Sequence, residues 1–351
     1  MTRPRRPKRP YQTGEARVDA AIEALISLRA DHPHADLVRQ MIVTAMKYLD
    51  TGADRGQIRQ ANTALKEMRY ATRVFAPFAA VRKVSVFGSA RIARGDPSWD
   101  QAVALSRRMA DAGWMIITGA GPGIMQAGNE GAGRDRSFGV NIRLPFEQSA
   151  NPAVEGSPRL ISFRYFFTRK LFFVRESHAI VLFPGGYGTL DEGTEVLTLI
   201  QTGKSHPIPV VMLDPPGGDY WKSVQAFFET SLRDRGFVTP EDLGLFRVTD
   251  SVEEAVTEML GFYHNYHSSR HLGDRYILRL HRPPPPGELH ALTTEFADIL
   301  QDGGKGFEVY RGRLRGEDPT VPTAPPWRLS FPFDKRSYGR LRRLVDRVNR
   351  W

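Results

Sequence analysis

Apolar and polar positions change period twice along this chain. Over residues 15–80 apolar residues recur at helical spacing, as from Ala20 to Leu28 and from Leu37 to Leu49, and no strand-like run interrupts them. Two or three helices are predicted there, two of them separated at Thr51-Gly52 and all packed on the domain that follows. From Arg82 short β-branched and aromatic runs take over: Lys83 to Phe87, Trp114 to Thr118, Phe138 to Leu144, Ala179 to Phe183 and Ile208 to Leu213. Helical stretches alternate with them, at Trp99 to Ala112, from about Gly123, from the turn after Phe183 through Ile200, at 219–235 and at 251–263. Such alternation predicts a parallel sheet covered on both faces with right-handed crossovers, an α/β fold of the Rossmann-like, doubly wound kind.

A third pattern follows about Gly273. Tyr276 to Leu280 reads as a strand, Arg282-Pro283-Pro284-Pro285-Pro286 as a stiff break, and Glu288 to Leu300 as a helix. Phe307 to Tyr310 and Trp327 to Phe331 read as strands and Tyr338 to Val348 as a helix. The order βαββα predicts a small α+β module, similar to a truncated ferredoxin-like unit. The expected organisation is a disordered basic tail over 1–13, a helical extension over 14–81, a Rossmann-like domain over 82–268 and the C-terminal module over 269–351. No repeat of 20–50 residues is present.

Composition narrows the picture little: 41% hydrophobic and 25% charged residues are ordinary for a globular chain of 351 residues. With no cysteine, disulfides, thiolate nucleophiles and cysteine-type zinc sites are excluded, and a reducing, cytoplasmic location is expected. Residues 1–10 carry basic charge with no apolar stretch behind it, so no secretion signal is read, and no run is apolar enough for a transmembrane helix. The net charge of +10 resides at the ends. Residues 1–10 contribute five positive charges and residues 335–351 a net six, which leaves the body at −1. Basic ends can hold a polyanion, but they also keep termini solvated, so nucleic acid is not the expected partner.

Chemistry gathers where strands hand over to helices. Gly88-Ser89-Ala90 closes the first strand of the domain, Thr118 to Met125 (TGAGPGIM) follows the second, and Phe183 to Glu192 (FPGGYGTLDE) follows the fourth. Glycine there lets backbone approach a ligand, and a helix N-terminus offers free N–H groups to a phosphate. The glycines at 119, 121 and 123 give neither a dinucleotide fingerprint nor a P-loop, so one loop alone could be a tight turn. Three such loops at strand ends point to a ligand site. Glu192 falls three residues after Thr189; it could close a capping box on the Thr189 N–H, or place a carboxylate near a bound ribose. Phe163 to Phe173 embeds Arg164, Arg169 and Lys170 among aromatics, either as cations snorkelling from a buried helix or as partners of an anion in the same crevice.

The stretch Gly185-Gly186-Tyr187-Gly188-Thr189-Leu190-Asp191-Glu192, after Pro184, resembles the PGGxGTxxE signature of the LOG (Lonely Guy) family, and Thr168-Arg169-Lys170 its upstream Arg-Lys motif. The resemblance covers about residues 82–265 and is closer to the larger bacterial members than to the compact plant enzymes. That family includes cytokinin-activating phosphoribohydrolases and bacterial nucleotide nucleosidases, and many members carried the label of possible lysine decarboxylases. The resemblance implies that Arg169 and Glu192 are the catalytic pair and that Gly185, Gly186, Gly188 and Thr189 hold the phosphate. It implies nucleotide contacts from Gly88, Ser89, the loop Gly121, Gly123 and Met125, Asn141 and Lys170. One departure is Gly193-Thr194 directly after Glu192, weak helix formers expected to loosen the helix start. The implied activity is hydrolysis of a nucleoside 5′-monophosphate to free base and ribose 5-phosphate, with no cofactor, no metal and a homo-oligomeric assembly. The competing reading is a nucleotide-binding regulator, with an alarmone or other polyphosphate on the basic C-terminal helix. A decarboxylase would require pyridoxal phosphate on a lysine, for which Lys170 is the candidate.

Overall fold

The structure, a computed structural model, describes residues 11–144, 149–301, 306–318 and 324–351. The expected disordered tail lies, over residues 1–10, outside them. The described residues form two compact units, one ending at Met68 and one starting at Arg69. The first contains α1 (Ala16–Ser27), α2 (Ala35–Lys47) and most of α3 (Arg55–Phe75). Arg39 of α2 pairs with Glu23 of α1. The helical reading of this segment therefore holds, with three helices present.

The second unit begins with the end of α3 and continues through β1 (Lys83–Phe87), α4 (Pro97–Asp111), β2 (Met115–Thr118), α5 (Ile124–Ala132), β3 (Ser137–Ile142) and β4 (Leu160–Phe163). It goes on through α6 (Phe166–Glu176), β5 (Ala179–Leu182), α7 (Tyr187–Gln201), β6 (Val210–Leu213), α8 (Tyr220–Phe227), β7 (Arg247–Thr249) and α9 (Val252–Gly261). The seven strands form one parallel sheet in the order β4-β3-β2-β1-β5-β6-β7. The chain winds outward from β1 to β4, then crosses back beside β1 and winds the other way, so the order reverses between β1 and β5. Loops at the carboxyl ends of strands flanking such a reversal diverge and leave a crevice.

The central strands read as unbroken apolar runs because both faces are covered. On one face Val84, Val86, Ile116 and Val181 pack against α4, α5 and α9; on the other Phe87, Ile117, Ile180 and Leu182 pack against the end of α3, α6 and α7. Each of these side chains is buried, worth roughly 1.5–3 kcal/mol apiece for a large aliphatic or aromatic group. Two strands, β4 and β7, were not anticipated: they sit at the sheet's edges, and β7 has three residues.

The chain ends with β8 (Tyr266–Leu272), β9 (Arg275–Leu280), α10 (Glu288–Glu295), β10 (Glu308–Arg311), β11 (Trp327–Pro332) and α11 (Tyr338–Val348). A four-stranded antiparallel sheet, ordered β10-β11-β9-β8, replaces the expected three-stranded module. The added strand β8 is polar and histidine-rich, and it joins β9 through a tight turn at Gly273-Asp274. Helix α11 buries Leu341, Leu344, Val345 and Val348 on one stripe. Its cations are largely engaged: Arg340 with Asp298, Arg342 with Glu258 and Asp346, and Arg347 with Glu288 and Glu295. No described helix is long and apolar enough to cross a membrane.

Candidate functional site

Three loops leave the carboxyl ends of β1, β2 and β5 and meet over a cavity of about 990 Å³. Their backbones are tied directly. The Ser89 N–H donates to Pro184 O at 3.0 Å, and the Ile124 N–H to Ser89 O at 3.1 Å. Gly123, the N-cap of α5, has φ +69, and a Cβ there would lie 2.3 Å from Ser89 O. Only glycine satisfies both the left-handed backbone and that approach.

The loop after β5 opens α7, whose N-cap is Gly186. The helix starts three residues earlier than a Thr189 cap would require, and Thr189 donates its own N–H to Gly186 O at 3.0 Å. The capping-box reading of Glu192 is therefore replaced: the carboxylate is in the second turn. Thr189 is buried beneath the loop, and a Cβ on Gly185 would fall 2.2 Å from its hydroxyl oxygen. Tyr220, from α8, donates its hydroxyl to Gly185 O at 2.7 Å and braces the turn from outside. Gly186, Tyr187 and Gly188 remain exposed at the helix N-terminus, where free N–H groups suit an anion. Gly193 does not loosen α7, which runs unbroken to Gln201; a Cβ there would meet Leu182 Cδ1 at 2.7 Å, so the glycine lets the helix approach β5.

Glu192 lines this cavity, yet its side chain is only 8% exposed. Burial pushes its pKa up to about 7, against the opposing pull of Lys170 and then Arg169. Lys170 lies 3.8 Å from Glu192 and pairs more closely with Asp191 at 2.8 Å and Glu195 at 2.6 Å. It does not line the cavity; it holds three carboxylates of α7 from behind. Arg169 does line it, anchored by its Nε donating to Val140 O at 2.9 Å and lying 5.1 Å from the Phe173 ring centre. Arg169 and Glu192 thus reach one crevice from neighbouring helices.

Of the other sequence-predicted residues, Gly88, Ser89, Gly121, Met125, Asn141, Gly185, Gly186, Gly188 and Thr189 line the cavity; Gly123 and Lys170 stand behind it. Arg164 is exposed and outside the lining. Sequence reasoning missed a buried polar brace under the second loop. Thr118 Oγ1 bonds to Asn129 Oδ1 at 2.7 Å and accepts from the Ala120 N–H at 3.0 Å. Asn151 Nδ2 donates to Gly121 O and to Asn129 Oδ1, both at 3.0 Å. The brace holds Ala120 at φ 62, a conformation L residues other than Asn and Asp seldom adopt, and so shapes the crevice floor. Nothing in the spacing of Thr118, Asn129 and Asn151 announces this contact. Among the described residues no group of three or more His, Asp or Glu side chains is arranged to hold a metal ion.

Residues 123–259 match the family model described as "Possible lysine decarboxylase". A rice protein (Oryza sativa subsp. japonica) named "Probable cytokinin riboside 5'-monophosphate phosphoribohydrolase LOGL5" is 32% identical over 164 residues, 45% of this chain and 63% of the rice protein. The Arabidopsis thaliana "Cytokinin riboside 5'-monophosphate phosphoribohydrolase LOG3" is 27% identical over 183 residues, 51% of this chain and 81% of that protein. The parallel-sheet domain is similar in sequence to proteins of the LOG family. The LOG match spans less than two thirds of the rice protein's own length and leaves α1, α2 and the antiparallel sheet outside the family model. A solved structure of the molybdenum cofactor carrier protein of Chlamydomonas reinhardtii aligns at 24% identity and a TM-score of 0.35, over 50% of this chain and 94% of that one.

Proposed function

We propose that the crevice binds a nucleoside 5′-monophosphate and hydrolyses its N-glycosidic bond, giving the free base and ribose 5-phosphate. The observation that carries this reading is a buried carboxylate, Glu192, beside a glycine-rich helix N-terminus in one cavity with Arg169. The phosphate would sit on the N–H groups of Gly186 to Gly188 and the Thr189 hydroxyl. The ribose then falls one to two helical turns along, at Glu192. As the glycosidic bond breaks, positive charge develops on the ribose, and an adjacent carboxylate stabilises it. A pKa near 7 also suits Glu192 to accept a proton from the attacking water. That water supplies hydroxyl to C1′, and the departing base takes the bonding pair and a proton. Arg169 would position the nucleotide or offset negative charge on the leaving base. Lys170 is a positioning residue, whose ammonium keeps the carboxylates of α7 together.

The decarboxylase label fits Lys170 poorly. A Schiff-base lysine needs a free amine, whereas the hydrogen bonds of Asp191 and Glu195 hold the Lys170 pKa above its usual value against burial. The regulator reading on the basic C-terminal helix loses its main support, because the cations at Arg340, Arg342 and Arg347 are paired within the chain. The test is incubation with AMP, GMP, CMP and isopentenyladenosine monophosphate, with base and ribose 5-phosphate followed by chromatography. Base release that disappears in Glu192→Gln supports the reading. Binding of these nucleotides with no release from any of them overturns it.

A further inference from the structure

A second cavity, about 930 Å³, lies at the opposite end of the parallel sheet. Arg82, directly before β1, His178, directly before β5, and Ile208, two residues before β6, mark its floor, so it opens at the amino ends of the strands whose carboxyl ends form the crevice. Its far wall is the antiparallel sheet, from Tyr266 to Ser269 of β8 and Arg279 of β9. Helices α6 and α7 run along both cavities: Arg169 and Glu192 face the crevice, while Leu171 and Leu199 line the second cavity.

The electrostatics of this cavity are one-sided. Arg82 is half-buried, its guanidinium 3.8 Å from the Tyr263 ring centre, and that guanidinium makes no ion pair or hydrogen bond among the described residues. Arg279 and Arg328 share one buried carboxylate, Glu317, at 2.9 and 3.2 Å. The acid on the near wall, Glu195, is held by Lys170 at 2.6 Å. Two histidines report the resulting field. His178 is pushed down to about 4 by burial, then by Lys83 and Arg82; His267 is pushed down to about 4 by burial, then by Arg82, His281, Arg279 and Arg328. His178 Nδ1 accepts the Lys83 N–H at 3.3 Å, which assigns the proton of the neutral ring to Nε2. His267 Nδ1 shares a 2.9 Å bond with the Ser268 hydroxyl. The cavity thus offers a cation without a carboxylate, uncharged imidazole and hydroxyl groups, and an apolar side at Leu171, Val174 and Leu199.

We propose that this cavity is a second ligand site, distinct from the crevice, for a small organic oxyanion: a phosphate or carboxylate group held at Arg82, His178, His267 and Arg279, with an apolar body against α6 and α7. An oxyanion there gains a charge-assisted bond from a guanidinium in a partly dry site, and its negative charge opposes the cations that add to burial in lowering the histidines.

The test uses the full chain, with phenyl phosphate, benzoate and inorganic phosphate as probes. The imidazole carbon-bound proton resonances are followed by NMR, those of His178 and His267 being assigned from His178→Gln and His267→Gln. Phenyl phosphate or benzoate is expected to shift both resonances and raise both pKa values. A stronger response to one of the two identifies the acid group, and inorganic phosphate alone is expected to bind at least tenfold more weakly because it lacks the apolar body. Arg82→Gln should weaken the response at least tenfold while AMP binding in the crevice stays as in the wild type. If Arg82→Gln does not fold, His267→Ala should produce the same weakening in calorimetry. Histidine signals that stay fixed at millimolar probe, or that shift identically in wild type and Arg82→Gln, overturn the proposal.

Discussion

Glu192→Gln should make the protein more stable at alkaline pH, by an amount that burial of the carboxylate sets. The group is nearly enclosed, and its pKa stands at about 7 against 4.5 for an unperturbed glutamate. A carboxyl whose pKa is higher in the folded than in the unfolded chain favours folding most when protonated. That contribution is fully present below pH 4.5 and is lost as the pH rises through about 7. At ~1.4 kcal/mol per unit, the whole span is about 3 kcal/mol. Wild type bears nearly all of this cost at pH 8 and about a quarter of it at pH 5, whereas glutamine does not titrate. The stability of Glu192→Gln relative to wild type should therefore be greater at pH 8 than at pH 5 by about 2–3 kcal/mol. Urea unfolding of both proteins at the two pH values, followed by far-UV circular dichroism, measures it. A difference between the proteins that is the same at pH 5 and pH 8, or larger at pH 5, refutes the argument that Glu192 is held against its own ionisation.

The same carboxylate should show in catalysis: turnover of the proposed reaction should rise with pH through about 7, and in Lys170→Met the midpoint should move higher. At 3.8 Å the lost attraction is about 1 kcal/mol even at the dielectric of water, close to ~0.8 pH unit, so an unmoved midpoint removes Lys170 from the positioning role. Gly119→Ala would place a Cβ 2.5 Å from Arg169 Nη2 and 2.7 Å from Met125 Sδ, both far ends of flexible side chains. Turnover should fall at least tenfold with stability within about 1 kcal/mol of wild type, whereas unchanged turnover would show that Arg169 need not hold its place. Thr118→Val removes the acceptor of the Ala120 N–H and the donor to Asn129, and should cost about 1–3 kcal/mol in urea unfolding along with weaker AMP binding by calorimetry. Wild-type affinity in that variant would show that the brace does not shape the crevice floor.

What the sequence revealed of the fold follows how deeply each element is buried. The central strands β1, β2, β3, β5 and β6 announce themselves as apolar runs because helices cover both their faces. The edge strands β4 and β7 do not: β4 alternates between half-buried and buried positions, and β7 is three residues long. Strand β8 fails for a related reason. It lies at the edge of the antiparallel sheet, where Tyr266-His267-Ser268-Ser269-Arg270-His271 needs little apolar content, and its order depends on pairing with β9 rather than on its own composition. Register with a neighbour is a tertiary fact, and a single-chain pattern does not carry it.

The candidate site divides along the same line. Residues that act through backbone freedom were legible, because glycine at a strand-to-helix junction has few other reasons to recur, and all three loops meet at one crevice. Residues that act by charge were legible as types and not as roles. Lys170 and Arg169 are adjacent on α6, so side-chain directions about 100° apart send one into the crevice and the other to the carboxylates behind it. Nothing in the pair of letters says which is which. The basic C-terminal helix shows the opposite error: its charge invited a polyanion, yet apart from Asp346 on the helix itself the acids that answer it come from α9, α10 and the turn at Asp298, 42 to 84 residues away in sequence. Among the described residues a guanidinium without an ion pair appears instead at Arg82, beside Lys83 in an unremarkable stretch of sequence, and its setting is visible only once β1, β8 and β9 are brought together. Charge density along a sequence and charge imbalance in a folded cavity are different quantities, and a ligand responds to the second.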